Sequence, residues 1–435
     1  MVRHDLLQLI LLCAVGVAGC ASEDPDSRER GDRDVSLTAE ETLFLRTMWP
    51  LPALPPSPTN AYADDPWAIQ LGHYLFFEPE LSRDGDVSCA TCHIPDLGWS
   101  DGLRLGEGIE QVDMHTPSLI NAGHSRWSFW DGRCDTLWCQ AVAPFEDQRE
   151  MGSNRLRLAH TIDGDPELRR AYVETFGPLP DMSDWPLDGR PVPGDPTHEE
   201  HQAWASLNPE QQHDASTVMV NLGKALEAFE RTIVSRDSPF DRFAEALLVD
   251  GDPDNGHLSS AAKRGLRLFI GDAQCHFCHA GPGFTNREFA NIGLGGRDWL
   301  DPEERGRLDG VIALWDNPFR GDGSFSDDPD AGSIKLENLA TTGEQAGQFK
   351  VPTLRDVALH PPYMHGGQFE TLEAAVEHYG TVTETPLFGH REDLLTDVSL
   401  TEAEVQDLVA FLEALTGVPL SQTMTRQPES PLFSP

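Results

Sequence analysis

Apolar residues recur at helical spacing through most of this chain, and no stretch alternates long enough to make a strand legible. Val218, Leu222, Ala225, Leu226, Phe229 and Ile233 trace one face of a helix, which Asp237-Ser238-Pro239 breaks, and a domain boundary is placed there. Nearer the end, Thr401 and Glu404 have the spacing of a capping box. Val405, Leu408, Val409, Leu412 and Leu415 follow as a buried face, and Gly417 closes the helix. Two segments, Leu71-Gly72-His73-Tyr74-Leu75-Phe76 and Arg264-Gly265-Leu266-Arg267-Leu268-Phe269, are alike enough to be an internal repeat of one amphipathic helix. Pro50 to Pro58 reads as a proline-rich linker, and Asp181 to Pro196 and Asp322 to Ser333 as surface insertions. The pattern predicts a mainly α protein of two repeated domains, 61–236 and 237–435, joined and decorated by long loops.

The first twenty residues follow another logic. Arg3 and His4 precede an apolar run from Leu6 to Val17 that is short for a membrane span and ends in Val17-Ala18-Gly19-Cys20. That is the form of a bacterial lipoprotein signal, with residues 1–19 removed and Cys20 acylated; simple cleavage without lipidation is the alternative. Either route exports the chain, so the expected location is the periplasm, with a lipid on Cys20 as its only membrane attachment. Residues 20–60 then form an acidic and proline-rich tether, of which Glu23 to Asp34 is the solvated part.

Charge narrows the partners. The chain carries 72 acidic against 32 basic residues, a formal charge of -40, which excludes nucleic acid as a natural ligand and suits solubility first.

The cysteines bring in the chemistry. Cys89-Ala90-Thr91-Cys92-His93 and Cys275-His276-Phe277-Cys278-His279 each place two thiols three apart with a histidine directly behind, and each follows one copy of the repeated helix. A zinc knuckle or a redox CxxC leaves that histidine unexplained. Covalent haem c does not, since the thiols form thioethers to the vinyl groups and the imidazole ligates the iron. Two haems c are therefore expected, on Cys89, Cys92 and His93 and on Cys275, Cys278 and His279. Of the remaining cysteines, Cys13 leaves with the signal and Cys20 takes the lipid. Cys134 and Cys139 are left as a candidate local disulfide.

From about Ala61 to Gly417 the chain resembles the bacterial dihaem cytochrome c peroxidases and the MauG-type enzymes. The matching stretches are Phe129-Trp130-Asp131-Gly132-Arg133, Gln140 through Pro144 to Glu150-Met151-Gly152, Phe349-Lys350-Val351-Pro352-Thr353-Leu354-Arg355 and Pro362-Tyr363-Met364-His365-Gly366. The resemblance implies that hydrogen peroxide meets the N-terminal haem beneath Gln140 and Glu150, and that Trp130 lies between the haems as a stepping stone for an oxidising equivalent. A carboxylate in a partly dry pocket suits the work, because splitting the O–O bond needs a proton removed from one oxygen and delivered to the other. Many relatives carry a histidine ligand in the loop after the first motif; here Leu105-Gly106-Glu107-Gly108 offers Glu107, so an open iron is expected, with His115 and His124 as alternative ligands.

At the second haem, ordinary relatives have an axial methionine fourteen residues after the histidine of Pro-Tyr-Met-His, and MauG-type proteins a tyrosine. This chain has Tyr379, with Met364 and His378 as competing ligands. A phenolate favours higher oxidation states than a thioether does. The resemblance also implies calcium between the domains, but His115 and His360 stand at two of its ligand positions beside Pro362, and imidazole suits a hard cation poorly. The reading is a haem peroxidase or oxidase. Its final reductant is an electron-donor cytochrome or cupredoxin, or residues of a protein substrate as in MauG-type enzymes. The competing hypothesis is a non-enzymatic dihaem electron carrier.

Overall fold

In the computed structural model, residues 36–253, 255–294, 305–381, 386–395 and 398–433 are described. The signal, Cys20 and the stretch from Glu23 to Asp34 lie outside them. Among the described residues the chain is helical, and its one sheet is a two-residue antiparallel pairing of Phe289–Ala290 with Phe349–Lys350. No helix there is long and apolar enough to cross a membrane.

The first core is organised by the long helix Pro209–Glu230, started by an Asn208–Gln211 capping box with Pro209 in its first turn. Its face Val218, Leu222, Ala225, Leu226 and Phe229 is at most 1 % exposed. Helices Pro66–Phe76 and Leu137–Glu146 pack on it. After Ile233 the chain turns through Asp237 at φ +61, and Ser238 caps the helix Pro239–Glu245. The second core then gathers around the crossing of Ser260–Ile270 with Glu402–Glu413, whose Thr401–Glu404 capping box is formed.

The glycine of each repeat lies at the closest approach of its helix pair. A Cβ on Gly72 would overlap the Ala225 carbonyl, and one on Gly265 would overlap that of Asp407. Only glycine lets the backbones meet so closely. Beside the second crossing, Arg264 grips Asp407 through Nε at 2.7 Å and Nη2 at 2.6 Å.

Three segments lie where local patterning gave no hint. Ala39–Leu45, read as tether, is a capped helix whose Leu45, with Met48 behind it, is fully buried in the second core, while Phe44 meets His276 edge-on at 5.0 Å. The tail after Gly417 belongs to the first core: Leu420, Met424 and Leu432 pack there, and Gln70 donates to the Ser430 carbonyl at 2.7 Å. The insertion from Asp322 to Ser333 is exposed but anchored, since Asp327 pairs with buried Lys224 at 2.8 Å and accepts from the Ala61 amide. The two ends are thus exchanged between the cores.

Candidate active site

Both CxxCH motifs open onto one continuous cavity of about 1130 Å³, lined by Cys92, His93, Cys275, Cys278 and His279 among others. Cys89–Cys92 is a single helical turn that places the His93 amide on the Cys89 carbonyl at 2.9 Å. The His279 amide meets the Cys275 carbonyl at the same distance. Each histidine is then oriented by a carbonyl further along. His93 Nδ1 lies 3.1 Å from the carbonyl of Trp99, and His279 Nδ1 lies 3.0 Å from that of Phe284. Trp99 and Phe284 are buried aromatics at φ +61 and +51, each directly after a glycine. Strained aromatic turns thus aim the carbonyls, fix the tautomer and leave Nε2 for a metal.

Burial lowers both imidazoles, His279 to about 4, so both are neutral donors. The four thiols are unpaired, and burial holds them protonated, Cys92 and Cys275 near 12. Two thiols and one free imidazole nitrogen, presented twice on a shared cavity, fit covalent haem. Haem would be held by Cys89, Cys92 and His93 on one side and by Cys275, Cys278 and His279 on the other.

Glu150 and Gln140 line the cavity, and Glu150 lies close enough to the first cradle to act on the Cys89 and Cys92 thiols. Burial, and then Asp147, raise the Glu150 carboxyl to about 7, against the pull of Arg133 and Arg149. Its backbone is held at both ends: the amide donates to the Asp147 carbonyl at 3.2 Å, and the carbonyl accepts from Ile109 at 3.0 Å. Gly108 presses on it so closely that a Cβ would come 2.6 Å from that carbonyl oxygen. Glu107 lines the cavity beside Cys92, whose Sγ is 3.4 Å from the Glu107 carbonyl. Gln140 projects from Leu137–Glu146, where Thr136 caps the helix.

Trp130 lies between the two halves. Its Nε1 donates to the His115 carbonyl at 2.8 Å, and its own carbonyl accepts from the Lys350 amide at 2.8 Å. Next to it, Cys134 and Cys139 are bonded across a Cα separation of 5.7 Å, and Asn317 Nδ2 approaches Cys139 Sγ at 3.4 Å and Cys134 Sγ at 3.7 Å.

On the second side, Tyr379 projects from Leu372–Thr381 into the cavity. Burial, and then the Cys275 and Cys278 thiols beside it, push its phenol far above the usual range. Met364, at φ +71, lines the same space. His378 turns aside, its Nε2 2.9 Å from the Ile292 carbonyl. His124 is buried at the cavity wall and lowered to about 4, first by burial and then by Arg236, Arg287, Arg355 and Arg231. His115 points its Nδ1 at the Leu103 carbonyl, 2.8 Å away. His115 and His360 are both lowered by burial, His360 to about 4, and the His115 carbonyl is occupied by Trp130, so this donor set does not fit calcium. Sequence reasoning missed the carbonyls of Trp99 and Phe284; the glycine-aromatic pairs Gly98-Trp99 and Gly283-Phe284 shortly after each motif were the available signal.

Two CxxCH turns on one cavity, one of them close to a glutamate whose carboxyl is raised to about 7, are the arrangement a dihaem protein would need. A family model described as di-haem cytochrome c peroxidase matches residues 66–247. The chain is 32 % identical over 368 residues to a methylamine utilization protein MauG of Methylorubrum extorquens, covering 83 % of this chain and 82 % of that one. It is 30 % identical to a cytochrome c551 peroxidase of Pseudomonas aeruginosa, with coverages of 80 % and 78 %. A MauG-like protein associated with microbial copper homeostasis shares the fold, with a TM-score of 0.60 at 24 % identity over 87 % of this chain and 99 % of that one. The chain belongs to the dihaem cytochrome c peroxidase and MauG family and is a haem peroxidase.

Proposed function

We propose that hydrogen peroxide is reduced on the His93 side of the cavity, and that the second cradle stores and passes on oxidising equivalents. The bound haem supplies the iron that takes up peroxide and gives it two electrons. The overall change is peroxide plus two protons and two electrons to two waters. Glu150 carries the proton: as a carboxylate it accepts from the peroxide oxygen nearer the iron and then donates to the leaving oxygen. The Gln140 amide orients the outer oxygen. Trp130, clamped at its indole nitrogen and its carbonyl, carries a hole between the halves.

Tyr379 is the residue that would ligate the iron of a haem on the second cradle, with Met364 the alternative; the proximity of Tyr379 to Cys275 and Cys278 supports this. A hard anionic ligand there suits a long-lived oxidised state, and so favours a MauG-like enzyme that oxidises residues of a partner protein over one that draws only on a cytochrome or cupredoxin. Export to the periplasm and anchoring through Cys20 rest on the sequence alone.

The observation that carries this reading is Glu150, half-buried on the cavity with its carboxyl raised to about 7. Mixing the purified ferric protein with one equivalent of peroxide should change its visible spectrum within the mixing time and yield a species that accepts two electrons. A spectrum that ignores peroxide, with both haems low-spin, overturns the reading in favour of an electron carrier.

A further inference from the structure

We infer that Arg307, Lys335 and Arg126 hold the ring of Trp127 out of the redox chemistry, so that an oxidising equivalent reaching the neighbouring Trp130 does not pass on to it. The inference deepens the reading of Trp130 as the hole carrier and rests on it.

Trp127 and Trp130 stand three residues apart, line the same cavity and are 4 % and 9 % exposed. By residue type and burial, either could lose an electron. Their surroundings separate them. Three cations stand over the Trp127 ring: Arg307 with Cζ 4.3 Å from the ring centre, Lys335 with Nζ at 5.5 Å and Arg126 with Cζ at 5.7 Å. Among the described residues no cation lies over the Trp130 ring, and its indole N–H donates to the His115 carbonyl at 2.8 Å. A cation attracts the electron cloud of an indole face and repels the same ring once an electron has left it, most strongly in a dry interior. A carbonyl on the indole N–H acts the other way, because that bond strengthens when its donor becomes charged.

The two inner cations are built into the fold. Arg307 is 2 % exposed, and its Nη1 donates to the carbonyls of Gly132 at 2.7 Å and Asp131 at 3.1 Å. A Cβ on Gly132 would overlap that nitrogen and the Phe289 ring, so glycine opens the turn to the guanidinium. Lys335 Nζ donates to the carbonyl of Arg126 at 2.7 Å and to that of Asp135. These bonds end on neutral carbonyls, whereas a buried cation ordinarily ends on a carboxylate. Aromatic faces take up the charge instead, Trp127 and also Phe289, whose ring centre is 4.1 Å from Arg307 Cζ. Burial lowers Arg307 only to about 10, so it is charged across the neutral range; burial lowers Lys335 as well, opposed by Asp135.

A hole admitted to Trp127 would be lost from the cavity. Trp127 packs on Leu314 and Leu336, of the helices Arg307–Asp316 and Pro329–Leu336. Trp315 on the first of these is 37 % exposed and has Arg320 Cζ 5.3 Å from its own ring centre. Oxidation would also consume the residue. Two electrons would leave the indole for the oxidised site, and water would add one oxygen and release two protons. The sum is one peroxide and one tryptophan to one hydroxytryptophan and one water.

The test exposes the full ferric dihaem protein to excess hydrogen peroxide without an electron donor and maps added oxygen on each tryptophan by peptide mass spectrometry. In Arg126→Gln/Lys335→Met, which leaves Arg307 on its carbonyls, oxygen on Trp127 should rise at least about fivefold over the parent. Arg307→Gln should do the same and serves if the double variant folds poorly. The charge-loss control Arg169→Gln, on the surface helix Pro166–Phe176, should match the parent. Adding Glu150→Gln to the double variant should abolish the gain over the same exposure, since peroxide then reacts slowly at the cavity. A gain that persists there would be direct attack by free peroxide on a loosened fold, and overturns the inference. Equal yields on Trp127 in the parent and the variants, with a ferric spectrum that still responds to peroxide, overturn it while the peroxidase reading stands. If the spectrum ignores peroxide, that reading fails and the inference falls with it.

Discussion

Around His93 and around His279 the chain repeats one construction: a tightly crossed helix, a turn carrying two thiols, a neutral imidazole, and a buried aromatic at positive φ whose carbonyl aims it. The walls facing the two imidazoles share nothing. The first wall carries Glu150 and Gln140, which we read as a proton-handling pair; the second carries Tyr379 and Met364 among Leu372, Ala375, Val376, Leu408 and Leu412. Duplication preserved what holds the cofactor, and divergence acted on what meets it. The proposed division of labour lies in these two walls, so substitutions there should affect the two sides unequally.

Glu150→Gln should have the largest effect, slowing the reaction with peroxide by roughly a hundredfold or more while both haems stay attached, as stopped-flow and intact-mass measurements can check. The pH profile carries the same information with a definite sign. With its carboxyl at about 7, Glu150 is increasingly protonated as pH falls, so the rate should drop about tenfold per unit below that value. In Glu150→Gln this inflection should vanish. Equal rates in parent and variant would break the comparison, since the first wall would then be no more special than the second.

Tyr379→Met addresses the other wall. It should raise the potential of the second haem by on the order of 100 mV, because a thioether stabilises ferrous iron where a phenolate does not. Redox titration resolves it, and an unchanged potential removes Tyr379 from the iron.

How much of this asymmetry was legible in the sequence depends on the range of the interactions involved. The cradles are local, so the CxxCH motifs, the repeated helices and the Thr401–Glu404 cap could be read directly. The stripe from Val218 to Ile233 was equally plain, and every member is buried. Glu150 and Tyr379 became visible only through resemblance, because a lone acid or tyrosine has no local signature. What escaped was long-range. Nothing near Phe44 announces His276, and nothing near Met424 announces the first core, since such contacts are made by chain segments hundreds of residues apart. The carbonyls of Trp99 and Phe284 escaped for another reason: backbone groups carry function here that no residue type encodes.

The disulfide sharpens the comparison in stability. It crosslinks the first unit beside Trp130, whereas the free cysteines among the described residues are those of the cradles. Cys134→Ser/Cys139→Ser should cost the first unit about 2 kcal/mol, the loop-closure value for so short a ring. Differential thermal unfolding followed at each haem would show the first melting earlier and the second unchanged. A uniform shift would mean that the units unfold together.

The smallest expected effect tests the exchanged tail. Met424 is partly buried against the first core although it follows the whole of the second in sequence, and nearby Trp67 meets Phe433 with ring centres 5.6 Å apart. Met424→Ala removes apolar contact from a site that is only half enclosed, so the loss should be about 1 kcal/mol rather than the full cost of a core cavity. Because the contact falls on Pro66–Phe76, the loss should appear as about fivefold faster amide exchange in that helix, with no change in its counterpart Ser260–Ile270. Faster exchange in Ser260–Ile270 instead would return the tail to the unit that precedes it in sequence, and the exchange of ends between the cores would have to be abandoned.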